Sequence, residues 1–251
     1  MNSLLLLSLI FVVLSLTIAG KAGLRNLLAL LYNFAAIFVL ILLLSWGFPP
    51  VPVTCILSLF MLALLLFMSS TENNVIAIAF KASFFTLLGI LVLALFAQFF
   101  GQFQGFASEN AEALEELSLS VGLDFSGIAT SVMILSSLGA IAEAAMAVTE
   151  DLTEITLHTP NLTLSALTNE RKIVSQQILG TAVNTLFFGL LGSSVSLILW
   201  FVKLHYTLAE IFNSKLLLLD VTTMLLGMLG LLAVILLSGH FVLKNFRETQ
   251  P

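Results

Sequence analysis

The stretch LSSLGAIAEAAMAVTEDLTE, residues 135–154, combines small and apolar residues with one acid, Glu143, and then ends in an acidic cluster. This pattern is typical of a membrane helix that packs closely through small side chains and leaves the bilayer near Thr149. An acid at membrane depth is costly, so it normally faces protein or a water-filled path. If the chain moves a solute across a membrane, Glu143 is the first residue to consider.

The composition of the whole chain indicates a membrane protein. Of its 251 residues, 59% are hydrophobic and 9% are charged, and the mean hydropathy is +1.13, whereas an ordinary soluble domain carries roughly 25% charged residues. We expect one integral, all-α, polytopic membrane domain over residues 1–251. No basic run suggests nucleic acid. The single cysteine, Cys55, cannot form an intramolecular disulfide, and we interpret it as a packing residue.

Uncharged stretches, counted against the roughly 20 residues that a helix needs to cross the hydrocarbon core, predict about seven spans. Their predicted limits are 3–20, 26–48, 51–70, 82–103, 125–149, 178–202 and 216–243. The first lacks the positive segment of a signal peptide, so we expect it in the mature chain. Pro49 and Pro50 predict a tight turn between the second and third spans. No internal repeat supports an inverted-repeat transporter.

Basic residues favour the cytoplasmic side of a membrane, and their distribution predicts an orientation in the cell membrane. With the N-terminus outside and the C-terminus cytoplasmic, seven basic residues lie inside and two outside. The inside group is Lys21, Arg25, Lys81, Arg171, Lys172, Lys244 and Arg247, and the outside pair is Lys203 and Lys215.

The predicted outside loop between the fourth and fifth spans is acidic. Within residues 105–124, apolar residues recur at helical spacing, which predicts an amphipathic helix on the membrane surface. Two interpretations remain open: a solvated cap, or a vestibule that attracts cations.

Small and polar residues form rows on the fifth and sixth spans. Such rows allow close approach of helices in lipid. The fifth span carries Ser136, Ala140 and Ala144 beside Gly139, Glu143 and Ala147; the sixth carries Gly180, Asn184, Phe188, Gly192 and Ser196.

These two faces predict a contact between Glu143 and Asn184. Each residue lies six positions from the predicted cytoplasmic boundary of its span, which is about 9 Å at 1.5 Å per residue. Asn184 could donate a hydrogen bond to the carboxylate. Alternatively, Glu143 extends to the inner interface, and Asn184 only joins helices.

Further acids flank these rows. Glu150 and Glu154 share a helical face with Glu143, which suggests either an acidic exit path or the solvated end of a long helix. On the seventh span, Asp220 and Thr223 lie on one side with two packing glycines, Gly227 and Gly230. We expect Asp220 to pair with a lysine at the outer interface, either Lys203 or Lys215.

Three stretches resemble the YibE/F-like family of bacterial multi-pass membrane proteins. They are LGAIAEAAMAVTEDLTEI, ILGTAVNTLFFGLLGSSVSLIL and NSKLLLLDVTTMLLGMLGLL, and the short length resembles the YibF type. The resemblance implies a membrane helix bundle and a paralogous YibE-like partner. It also implies a carboxylate at position 143. Charged residues of the family pattern are replaced here by Gln176, Gln177, Lys215 and Thr223.

The leading hypothesis is a permease subunit for a small solute or ion, with Glu143 as the coupling or gating carboxylate. Asn184, Asp220 and the glycine-serine group Gly192, Ser193 and Ser194 complete its predicted polar network. The alternative is a non-transporting scaffold or regulatory subunit, and either form could assemble as a homo-oligomer. An enzyme is not expected, because the chain has no H-E-x-x-H motif and the glycine-serine group lacks an evident base. No metal or cofactor is expected either.

Overall fold

A computed structural model describes residues 3–70, 72–102, 124–159 and 162–249 of the chain. The predicted amphipathic segment, 105–124, lies outside this part except for Asp124. Seven helices occur within the described ranges. They are α1 (Ser3–Ser45), α2 (Pro50–Ser69), α3 (Asn73–Gly101), α4 (Phe125–His158), α5 (Leu164–Lys203), α6 (Leu208–Asn213) and α7 (Lys215–Thr249).

Six of these helices, all except α6, are long and apolar enough to cross a membrane. The prediction of an all-α, multi-pass membrane bundle is thereby confirmed, but the number of helices is one lower than the seven predicted spans. The difference arises in α1, whose 43 residues contain both the first and the second predicted span. The other spans each correspond to one helix.

Gly20 interrupts α1 with a sharp bend. Its φ of 52° and ψ of −123° are not helical, and glycine adopts such a conformation without a steric penalty. Beyond the bend, a Cβ built on Gly23 would lie 2.9 Å from the carbonyl carbon of Ser15. In a straight helix, eight residues would separate these positions by about 12 Å. The chain therefore folds back at Gly20, and α1 consists of two apolar segments joined by a glycine.

The turn between α1 and α2 follows the prediction from the two prolines. Gly47 has a φ of 84°, and Pro50 is the first residue of α2. Proline fits there because the first turn of a helix needs no N–H donor. The two helices pack against each other as a hairpin.

Helix α4 occupies the centre of the bundle. It packs against α2, α3, α7 and α5, which also contact one another in that order. These four helices form an arc around α4, and the helices at its two ends, α2 and α5, do not pack closely against each other. The arc is therefore open on one side of α4.

Polar contacts join the helices at the end of the bundle that carries α6, called here the α6 end. Thr54 Oγ1 donates to Ser131 Oγ at 2.8 Å, and both residues are buried. Lys215 Nζ donates to the carbonyl oxygen of Gly101 at 2.9 Å, which satisfies a carbonyl at the end of α3. The opposite end, called the C-terminal end, contains the start of α3, the end of α4 and the end of α7.

Several helices extend beyond the predicted spans, mainly at the C-terminal end. The helix predicted over 178–202 begins at Leu164, and the one predicted over 125–149 continues to His158. Thr163 caps α5 by accepting a hydrogen bond from the Ala166 N–H at 3.3 Å. Backbone hydrogen bonds continue through the polar residues of these extensions, so hydropathy alone underestimates the length of the helices.

Candidate functional site

Up to Glu150, the exposed residues of α4 form one narrow stripe, and every other residue of this part of the helix is buried or half-buried. Beyond Glu150, Asp151, Leu157 and His158 are exposed as well, outside the stripe. The members of the stripe recur at intervals of three, four or seven residues, which places them on one helical face. They are Val132, Ser136, Gly139, Glu143, Glu150 and Glu154, with Ala147 half-buried between them. This open stripe spans about 33 Å at 1.5 Å per residue. It coincides with the gap in the arc between α2 and α5.

Near the α6 end, the open stripe borders a groove of about 340 Å³ whose lining is mostly apolar. Ser136 lines the groove from α4, opposite Thr185 and Ser193 of α5 and Asp220 and Thr223 of α7. The groove therefore combines one carboxylate with four hydroxyl groups within the apolar part of three helices. Ser193 and Asp220 belong to the polar network predicted from the sequence.

Asp220 accepts a hydrogen bond from Ser194 and not from a lysine. The distance from Ser194 Oγ to Asp220 Oδ2 is 3.3 Å. Within the described ranges, Asp220 makes no ion pair, so the structure does not form the predicted pair with Lys203 or Lys215. Lys215 is instead directed to the end of α3, where its ammonium group finds a free carbonyl.

Glu143 lies at the middle of the open stripe, with its side chain exposed. No described residue forms a hydrogen bond or an ion pair with its carboxylate. The predicted bond to Asn184 is absent, because Asn184 Nδ2 donates to Gly180 O of its own helix at 2.9 Å. The structure thus leaves the two predicted partners separate, and Glu143 faces the gap between α2 and α5.

At the C-terminal end, the open stripe reaches a second cavity of about 360 Å³. Glu150 and Glu154 line it together with Glu72, Ser70 and His158. Acids of like charge placed together attract cations and repel one another. No group of three or more His, Cys, Asp or Glu side chains in the described residues has the arrangement of a metal site.

The predicted packing residues divide into buried and open positions. Ala144 is buried, and a Cβ on Gly230 would lie 2.9 Å from Ile141 Cδ1. Ala140 is half-buried, and Gly227 lies under the Leu186 side chain. In contrast, a Cβ at Gly139, Gly180 or Gly192 would meet no atom within 4 Å. The small-residue faces of the fifth and sixth spans therefore do not pack against each other as predicted.

The prediction from the sequence did not include Thr185, which lines the groove. It selected the row that begins at Gly180 and Asn184, whereas the groove is lined by the adjacent row of Thr185, Gly189 and Ser193. That row also repeats every four residues, so the signal was present in the sequence. Choosing between adjacent rows requires knowing that α5 packs mainly against α7.

Comparison with known proteins assigns the family. No curated protein and no solved structure matched the chain. The family model described as YibE/F-like protein matches residues 7–247, which includes all six membrane helices in large part. The chain therefore belongs to the YibE/F-like protein family.

Proposed function

We propose that this chain is one subunit of a membrane permease, and that the open stripe of α4 forms one wall of its path. One observation carries the proposal: Glu143 lies on the exposed stripe of the central helix of the described bundle, whose other residues up to Glu150 are buried or half-buried. A carboxylate at membrane depth costs about 2.5–3.5 kcal/mol at the helix centre. Water or a polar group from another chain would offset that cost.

The polar groups along the open stripe support a continuous path. Ser136 borders the groove at the α6 end, and Glu150 borders the cavity at the C-terminal end. Glu143 lies seven residues from each, about 10 Å along the helix in both directions. In this proposal, Glu143 is the coupling or gating carboxylate, and Asp220 belongs to the entrance groove.

We further propose that a different chain of the same family, a YibE-like paralogue, covers the open stripe. A second copy, related by a twofold axis normal to the membrane, would place Glu143 opposite its own counterpart. Two carboxylates that face each other closely across an interface disfavour each other's ionisation. A chain that brings a hydrogen-bond donor or a cation to Glu143 avoids this cost.

The proposed orientation has the N-terminus outside and the C-terminus in the cytoplasm of a bacterial cell. The C-terminal end of the bundle carries seven of the nine Lys and Arg residues, and such an excess favours the cytoplasmic side. A fluorescent reporter that folds only in the cytoplasm should fluoresce when it is fused after Pro251. If instead only a reporter that is active after export worked at this position, the orientation would be reversed.

The coupling role can be tested with the purified complex in vesicles that contain a pH-sensitive dye. In this proposal Glu143 carries the coupling proton, so we expect Glu143→Gln, which cannot carry a proton, to lower proton flux at least tenfold and Glu143→Asp to retain most of it. Glu170→Gln, which makes the same change outside the stripe, is the matched control. Equal flux in the wild type and Glu143→Gln, with the complex intact, would exclude the coupling role.

A scaffold or regulatory role is the second candidate, and the exposed face of α5 favours it. Thr181 and Asn184, which lie on this face, each donate to a carbonyl of their own helix. The polar side chains on this face therefore have hydrogen-bond partners within α5, and the face is suited to packing against another membrane helix. Neither candidate requires catalysis.

A further inference from the structure

A cleft of about 250 Å³ lies at the C-terminal end, between the start of α3 and the end of α7. It is separate from the open stripe of α4. Polar and charged groups line part of it, and apolar groups line the rest. The lining residues are Asn74, Ala77, Ile78, Lys81, Phe241, Lys244, Asn245 and Glu248.

Two lysines dominate the charge of this cleft. Lys81 Nζ lies 5.0 Å from the centroid of the Phe241 ring, a cation–π contact that holds the ammonium group between the helices. Lys244 Nζ lies 3.8 Å from Glu248 Oε1, and both side chains are exposed, at 60% and 64%. Such an exposed pair is weak. Lys244 can therefore exchange Glu248 for another anion at little cost.

The start of α3 adds a further attraction for anions. Glu72 occupies the N-cap position but makes no side-chain cap hydrogen bond. The Glu72 side chain thus does not satisfy the first-turn N–H groups of this 29-residue helix, and the helix dipole is positive at this point. Asn74, in that first turn, lines the cleft.

The span limits predicted from the sequence place the cleft at the level of lipid phosphates. Lys81 immediately precedes the predicted span that begins at residue 82, and Lys244 follows the span that ends at 243. Basic residues just beyond the hydrocarbon boundary lie beside headgroups. The apolar wall of Ala77, Ile78 and Phe241 continues from the charged groups, as an acyl chain requires. A free anion would gain nothing from that wall.

We propose that this cleft binds the phosphate of an anionic lipid headgroup. Lys81 and Lys244 contact the phosphate, the start of α3 contributes N–H donors, and the apolar wall accommodates the upper part of an acyl chain. Glu248 opposes the lipid by competing for Lys244. Basic clefts between membrane helices on the cytoplasmic side suit such headgroups.

The full chain in nanodiscs of equal parts phosphatidylglycerol and phosphatidylcholine provides the test, with retained lipids counted by native mass spectrometry. We expect retention of phosphatidylglycerol to fall about fivefold for each of Lys81→Gln and Lys244→Gln. Glu248→Gln should increase it. Lys172→Gln, an exposed lysine on α5 at the same end, is the matched control.

Three outcomes would overturn the proposal. One is unchanged phosphatidylglycerol retention in the Lys81→Gln and Lys244→Gln double variant, with the protein folded. A second is an equal loss in Lys172→Gln, which would indicate general charge attraction. A third is displacement of phosphatidylglycerol by millimolar inorganic phosphate, which would assign the cleft to a free anion.

Discussion

Helices α4 and α5 carry similar rows of small and polar residues, yet the bundle uses them differently. Within an apolar stretch of 18 residues in each helix, 61% of the stretch is buried in α4 and only 11% in α5. Helix α4 is surrounded on all sides but one, whereas α5 contacts the bundle mainly through α7 and presents most of its surface outward. Small residues therefore permit close packing but do not determine which neighbour uses it.

The largest effect expected from this comparison concerns two glycines. A Cβ on Gly230 would lie 2.9 Å from Ile141 Cδ1 and 3.2 Å from Ile90 Cγ1. We expect Gly230→Leu to overpack the α4 interface, at a cost of about 3 kcal/mol or more. Thermal unfolding in detergent, followed by size-exclusion chromatography, measures the loss.

Gly192→Leu is the matched control for this prediction, because no atom lies within 4 Å of its Cβ position. The midpoint temperature of thermal unfolding of Gly192→Leu should equal that of the wild type. If both variants unfolded alike, α5 would be packed as tightly as α4, and the contrast between the two helices would be wrong.

An intermediate effect is expected at the buried hydrogen bond that joins α2 to α4. Thr54→Val removes the donor to Ser131 while preserving the shape of the side chain. We expect a loss of about 0.6 kcal/mol, the average for such bonds between membrane helices. A double-mutant cycle with Ser131→Ala isolates the pairwise contribution. A coupling energy of zero would show that packing alone fixes α2 on α4.

A smaller effect is expected at Asn184 on α5. Its side chain bonds only to Gly180 O in the described structure, so Asn184→Ala should change the stability of the isolated chain by less than about 0.5 kcal/mol. Unfolding in a denaturing detergent provides the measurement. A loss of several times that size that is absent in a Glu143→Ala background would show that Asn184 is bonded to Glu143 and that the faces of α4 and α5 pack together.

The smallest effect is expected in α6, which connects the exposed α5 to α7. Hydrogen bonds from the Thr207 N–H and hydroxyl lower the pKa of Glu210 below its ordinary value. A lowered carboxyl pKa in the folded state stabilises the helix above the unfolded pKa. That contribution disappears as pH falls through the folded pKa.

Amide exchange in α6 should accordingly accelerate relative to α7 in acid, after correction for the intrinsic rate. Glu210→Gln should show no such acid dependence. If the wild type and the variant respond to acid in the same way, the hydrogen bonds between Thr207 and Glu210 do not stabilise α6.

The sequence predicted the helical membrane class and most span positions, because hydropathy and the prolines at 49 and 50 are local signals. It also located Glu143, Asp220 and Ser193 as polar groups within apolar helices. The partners of these residues were wrong, since Asp220 binds Ser194 and Asn184 binds its own helix. Partner choice depends on the order of helices around α4, which no local pattern contains.

The central claim is that another chain of the family, and not lipid, covers the open stripe of α4. A photo-crosslinking amino acid at Gly139 tests it directly in native membranes, because this position has open space around it. Phe96, an exposed residue of α3 outside the stripe, is the control. We predict that position 139 crosslinks to a second, different YibE/F-like chain and that position 96 crosslinks to lipid. Lipid adducts alone at both positions, or a crosslink at 139 only to a second copy of this chain, would contradict the account.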